Sequence, residues 1–228
     1  MSDRLGEVRA RIAAAAQRAG RAATDITLIA VSKTQPAAAI ATLADQGQRD
    51  FGENYLQEAL EKIAALRERG LVWHFIGQLQ ANKTRSVAEN FAWVHTVDRL
   101  RIATRLSEQR PVHAPPLSVC VQVKIGDEET KAGVAPNELD PLLDSIAALP
   151  RLRLRGLMAL PPAEDSETRQ RHWFAQLRAL FEAARTRHPE LDTLSMGMSG
   201  DLEAAILEGA THVRIGTALF GERLQSPP

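Results

Sequence analysis

Ile26-Thr27-Leu28-Ile29-Ala30-Val31-Ser32-Lys33 reads as a buried strand that ends in an ammonium, and a helix-compatible stretch begins at Pro36. Its aliphatic and β-branched residues follow one another almost without a polar break, as in strands covered on both faces. A charged amine at the carboxyl end of such a strand needs either a counter-ion or something that reacts with it. In strand–helix repeats, that edge of the sheet is where ligands bind.

The same cadence continues along the chain. Strand-like runs occur at 26–32, 50–53, 73–77, 93–97, 118–125, 154–160, 193–198 and 212–216. Helical patterns fill the gaps at 37–46, 54–69, 82–90, 99–109, 137–148, 167–187 and 201–208. Strands separated by helices imply a parallel sheet, and eight of them close as an α/β fold of the (β/α)8 TIM-barrel type. An extra N-terminal helix lies within 1–22: Leu5, Val8, Ile12 and Ala16 form its apolar stripe and Gly20 ends it. At 228 residues the barrel is compact, because the fold typically uses about 250. The competing open doubly wound sheet lacks its Gly-x-Gly-x-x-Gly after the first strand. Pro111-Val112-His113-Ala114-Pro115-Pro116 reads as a helix-to-strand loop rather than a linker, so 1–228 is taken as one domain, with a frayed tail at 223–228.

Bulk properties narrow the class. Lys+Arg and Asp+Glu each total 28, which argues against a polycationic nucleic-acid surface. Cys120 is the only cysteine and lies in the apolar run Val119-Cys120-Val121. No intrachain disulfide is therefore available, which suits a reducing cytosol. No apolar run is long enough to span a bilayer, and Met1-Ser2-Asp3-Arg4 is unlike a secretory signal. The expectation is a cytoplasmic protein with no membrane or nucleic-acid partner. No Cys/His metal spacing and no Ser/His/Asp motif stands out.

Three segments carry chemistry. Lys33 is either a solvated lysine paired with a carboxylate or a Schiff-base lysine made nucleophilic near a low-dielectric site. Leu194-Ser195-Met196-Gly197-Met198-Ser199-Gly200-Asp201 is a strand, a glycine turn and a helix start, where free N–H groups favour an anion. Ser199 either adds a hydroxyl to that anion or simply caps the helix. In His212-Val213-Arg214-Ile215-Gly216-Thr217, alternation puts Arg214 and Gly216 on one face and Val213 and Ile215 on the other; if the aliphatic pair packs against the outer helices, Arg214 points into the barrel and needs an acceptor, either a carboxylate or a ligand atom. Gly216 allows close backbone approach and Thr217 offers a hydroxyl. Barrels often hold phosphate at the loops after strands seven and eight, the two places these segments occupy. An amine on strand one, a phosphate cup at the last two strands and an inward arginine together suggest pyridoxal 5′-phosphate (PLP).

The chain resembles the pyridoxal phosphate homeostasis protein family. Matching stretches are Ala30-Val31-Ser32-Lys33-Thr34, Phe51-Gly52-Glu53-Asn54-Tyr55, Trp73-His74-Phe75-Ile76-Gly77-Gln78-Leu79-Gln80-Ala81-Asn82-Lys83, Gly156-Leu157-Met158, Met196-Gly197-Met198-Ser199 and Arg214-Ile215-Gly216-Thr217. The Trp73–Lys83 stretch is the most specific. The family resembles the barrel domain of alanine racemase, the fold type III arrangement of this cofactor. The resemblance implies that Lys33 carries PLP as a Schiff base and that Asn54 lies near the ring. It also implies that Arg214 meets the ring nitrogen and that Ser199, Gly216 and Thr217 hold phosphate, with Met196 in the same binding stretch.

Further candidates stay open on the sequence. His74 either touches the cofactor or is satisfied in the barrel interior. Lys83 is a second anion contact or a solvated helix residue. Lys131 is a second amine for PLP or a surface partner of Glu128 or Glu129.

Racemases of this fold type take a second acid/base, a tyrosine, from a separate C-terminal domain. Here the only tyrosine is Tyr55, after strand two, and the chain ends soon after its eighth strand. An arginine at the ring nitrogen also leaves that nitrogen unprotonated and the ring a poor electron sink. The expectation is therefore a PLP-binding protein of intracellular vitamin B6 homeostasis that supplies PLP-dependent apoenzymes, not an enzyme of strong turnover. The alternatives are a PLP-dependent amino-acid racemase or lyase of low activity and a cofactor-free barrel acting on a phosphorylated sugar. Aromatic residues make up 4% of the chain, which leaves few anchors for a large interface and points to a monomer.

Overall fold

The computed structural model describes residues 3–126 and 132–221. Eight strands, β1 (Thr27–Val31), β2 (Asp50–Glu53), β3 (Val72–Phe75), β4 (Trp93–Val97), β5 (Leu117–Gln122), β6 (Leu152–Met158), β7 (Thr193–Ser195) and β8 (His212–Ile215), pair in sequence order and close into a barrel. All pairings are parallel, and β8 returns to β1 in the register Ile29 to Arg214. The helices are α1 (Arg4–Arg18), α2 (Ala37–Asp45), α3 (Leu56–Ala65), α4 (Thr84–Asn90), α5 (Leu100–Gln109), α6 (Leu139–Ala147), α7 (Glu167–Arg185), α8 (Leu202–Leu207) and α9 (Thr217–Phe220). The barrel read from the cadence is present, with α1 as the extra helix. The tail at 223–228 lies outside the described residues.

Strand alternation divides the core in two. Outward residues such as Leu28, Ala30, Phe51, Phe75, Val94, Val213 and Ile215 pack with the helix stripes in one apolar layer. On α1, Leu5, Val8, Ile12, Ala15 and Ala16 are buried, the stripe expected from its spacing, and they meet α8 and α9. Asp3 caps α1 by accepting from the Gly6 N–H at 2.9 Å.

Inward residues are unusually polar for a barrel. They include Asp50, His74, His95, Ser195, His212 and Arg214, joined by hydrogen bonds or ring contacts. The usual filling of Val, Ile and Leu is confined to a few positions such as Ile29 and Ile76, which close over Gly52.

Several elements are shorter than their sequence patterns. The run at 193–198 is regular strand only to Ser195; Met196 and Gly197 still bond to His212 and Arg214 of β8, and Gly197 turns the chain at φ +95°. The pattern at 54–69 stops as α-helix at Ala65, gives one 3-10 turn at Arg67–Arg69, and ends at Gly70 with φ +61°. A four-residue helix, α9, follows β8 where no helix was expected. It is too short to show a period.

Candidate functional site

A cavity of about 370 Å³ opens at the carboxyl ends of the strands, within the range of small-ligand sites. It brings together Lys33 from the end of β1, Asn54 after β2, Ser199 after β7, and Arg214, Gly216 and Thr217 from the end of β8. A wider groove of about 1090 Å³ runs along the flank by α7, between Lys124 and Trp173. It is far more open and gathers residues of one flank rather than converging strand ends.

Lys33 is held by what lies behind it. The buried Lys62 on α3 donates to the Ser32 carbonyl at 2.6 Å, to Glu53 Oε1 at 2.8 Å and to Glu58 Oε1 at 2.5 Å. Ser32 Oγ donates to the same Glu53 oxygen at 2.6 Å, and the Thr34 N–H donates to Glu58 at 2.6 Å. Both neighbours of Lys33 are therefore tied to one buried ion cluster. Thr34 sits at φ +65°, in the left-handed region that costs a β-branched residue roughly 1–3 kcal/mol. The cluster offsets that strain. Burial pushes the Glu53 carboxyl above its usual range, against the pull of Lys62 and Ser32. The sequence reading missed this clamp. Glu58 and Lys62 are an i,i+4 pair in plain view, but their buried target across β2 was not.

Asn54 is fixed by close packing. A Cβ at Gly77 would lie 2.1 Å from the Asn54 carbonyl oxygen, so only glycine fits there. This accounts for the glycine in the Trp73–Lys83 stretch. Asn54 Oδ1 is buried and has no hydrogen-bond partner among the described residues, an arrangement that costs free energy unless a ligand atom supplies the missing donor.

The two loops read as a phosphate cup do meet. The Ala218 N–H donates to Ser199 Oγ at 3.4 Å, and Arg11 reaches over from α1 to the Ser199 carbonyl at 3.0 Å. Asp201 accepts from the Met198 N–H at 2.5 Å, closing the turn. Arg214 is buried, as its strand position requires, and donates Nη1 to Ser195 Oγ at 2.8 Å and Nη2 to the Ala159 carbonyl at 3.0 Å. Burial pulls its guanidinium down to about 10, with Asp201 pulling the other way; it remains a cation at neutral pH.

Three candidates, His74, Met196 and Lys83, do not line the cavity. His74 is fully buried one layer deeper, between Asp50 Oδ1 and His95 at 3.0 Å each, the interior placement that had been the alternative. Met196 follows the outward parity of β7 and packs in the outer apolar layer. Lys83 is exposed at the end of the 3-10 turn Ala81–Lys83. Lys131 lies outside the described residues. Ile76, Leu160 and Phe220, which the sequence did not single out, supply apolar lining. Among the described residues no group of His, Cys, Asp and Glu is placed to hold a metal.

Burial drives the three interior imidazoles, His74, His95 and His212, below the ordinary histidine range, His212 to about 3. The unfolded chain takes up protons on these groups as pH falls through about 6.5, whereas the folded chain does not. Stability is therefore expected to drop on acidification below that point, by up to about 1.4 kcal/mol per pH unit for each imidazole. Urea midpoints measured between pH 7.5 and 5 check this. A flat profile would contradict neutral interior histidines.

The alanine racemase N-terminal domain family matches residues 4–224. The pyridoxal phosphate homeostasis protein of Escherichia coli (strain K12) is 57% identical over 222 residues, covering 96% of this chain and 95% of that protein. The chain belongs to the pyridoxal phosphate homeostasis protein family. Another member, the homeostasis protein of Pseudomonas aeruginosa PAO1, is 56% identical over 228 residues, 100% of this chain and 98% of its own. Among solved structures, PipY of Synechococcus elongatus PCC7942 with PLP bound superposes with a TM-score of 0.81 at 39% identity, covering 92% of this chain and 100% of that one. Membership in this family and the closed barrel agree with the expectations drawn from the sequence.

Proposed function

We propose that this chain binds PLP, held covalently by Lys33, and serves intracellular vitamin B6 homeostasis rather than amino-acid turnover. The observation that carries the reading is the convergence, in one cavity, of a strand-end lysine, an unpartnered buried amide oxygen, an inward guanidinium and two abutting loops with hydroxyls. The PLP-bound relative PipY supports it. PLP supplies an aldehyde that an amine captures and a phosphate that N–H and hydroxyl donors hold. Lys33 would be that amine, and Ser199, Gly216 and Thr217 would take the phosphate. Asn54 would face the ring and Arg214 its nitrogen. A guanidinium only donates, so it would keep that nitrogen unprotonated. Among the described residues lining the cavity, Lys33 and Arg214 are the ionisable ones. This supports carriage over catalysis, because turnover needs a second acid or base at the reacting carbon.

The reading treats 1–228 as one PLP-binding unit that works in the cytoplasm as a monomer and supplies PLP-dependent apoenzymes. The lone buried Cys120 and the absence of any described helix long and apolar enough to cross a membrane fit that setting. The match to the alanine racemase N-terminal domain favours a second reading, a weak racemase or lyase. The two separate in heavy water. PLP-loaded protein incubated with a panel of amino acids is expected to exchange their Cα hydrogens no faster than free PLP. Saturable exchange proportional to protein would replace the first reading with the second.

A further inference from the structure

An unbroken line of hydrogen bonds runs through the barrel from its far mouth to the cavity. Asp50, whose side chain is 28% exposed at the start of β2, meets His74 Nε2 at 3.0 Å. His74 Nδ1 meets His95 Nε2 at 3.0 Å, and His95 Nδ1 meets Ser195 Oγ at 2.8 Å. Ser195 Oγ in turn accepts from Arg214. The chemistry at the two ends fixes everything between. A carboxylate accepts and a guanidinium donates, so each middle group must accept on the arginine side and donate on the aspartate side. Ser195 therefore donates to His95 Nδ1, His95 donates from Nε2 to His74 Nδ1, and His74 donates from Nε2 to Asp50. The opposite tautomers would set a bare His74 Nε2 against a carboxylate oxygen at 3.0 Å. A charged imidazole is disfavoured where His74 and His95 are fully buried. His212, Arg155 and Asp192 lie around this line without joining it: His212 bonds to Thr211, and Arg155 pairs with Asp192.

We propose that Asp50, His74, His95 and Ser195 are positioning residues for Arg214. They form a one-way relay with both imidazoles neutral and protonated on Nε2, through which a carboxylate at the far mouth steadies the guanidinium that faces the cofactor. The link to PLP rests on the function proposed above; the tautomers do not.

The experiment has two arms. Nitrogen-15 NMR of cofactor-free, histidine-labelled protein at neutral pH is expected to show His74 and His95 both as the neutral Nε2–H tautomer. Either one in the Nδ1–H or cationic form overturns the relay, whatever becomes of PLP. The second arm is a double-mutant cycle read as the PLP dissociation constant. Ser195→Ala, which cuts the line at Arg214, is expected to weaken binding about tenfold, and Asp50→Asn about threefold. The pair together is expected to be no weaker than Ser195→Ala alone, because the aspartate then has no path to the arginine. A combined loss of about thirtyfold, the product of independent effects, overturns the relay. Ser195→Thr, which keeps the hydroxyl, is expected to restore binding. Should Ser195→Ala fail to fold, the tautomer result alone decides. A parent protein that binds no PLP while showing both tautomers would sink the proposed function and leave the relay standing.

Discussion

Lys33→Ala is expected to leave the barrel folded and to abolish covalent retention of PLP. The side chain is half-buried at a strand end and is not part of the outer apolar layer, so the substitution leaves core packing intact and is expected to cost about 1 kcal/mol or less. Among the described residues lining the cavity no other amine then remains for the aldehyde, although the hydroxyls of Ser199 and Thr217 do. The check pairs a thermal melt with the visible spectrum of PLP-treated protein before and after borohydride. A melt like the parent's, with no band that borohydride removes, is the expected outcome. A parent-like band in the variant would remove Lys33 from the site.

Lys62→Met is expected to be the most damaging change in the barrel wall. Among the described residues it leaves the fully buried Glu53 carboxylate with Ser32 Oγ as its remaining partner, and breaking a buried pair from one side costs about 3–5 kcal/mol. For a chain of this size that lowers Tm by about 10 °C. It also frees the Ser32 carbonyl and loosens Glu58, which holds the strained Thr34, so both flanks of Lys33 lose their anchor. Adding Glu53→Gln should recover most of the loss, because a neutral amide replaces the unpaired charge. Equal melting of parent and Lys62→Met would mean that the clamp does not hold this loop.

The parts of this molecule legible in its sequence are those set by local periodicity. Alternation set Arg214 on the face opposite Val213 and Ile215, packing that aliphatic pair against the helices put the arginine inside, and the spacing of Leu5, Val8, Ile12 and Ala16 gave the buried face of α1. Counting strands placed segments 195–200 and 214–217 side by side, where Ala218 now donates to Ser199. What periodicity cannot give is depth. Parity sends both His74 and Arg214 inward, but only Arg214 sits high enough to line the cavity. Contacts closed by the barrel itself were equally hidden. His95 and Ser195 are 100 residues apart, and Arg214 reaches Ala159 across 55. Gly77, read as the end of the strand-like run 73–77, shows its role only once the Asn54 backbone is seen against it.

Capture of PLP by one lysine, Lys33, is the feature on which the proposed site turns. Borohydride reduction of the PLP-loaded protein followed by peptide mapping tests it most directly. The expected result is a single pyridoxyl-phosphate label on the peptide containing Lys33. A label carried chiefly by any other lysine, with the Lys33 peptide unmodified, would contradict the account.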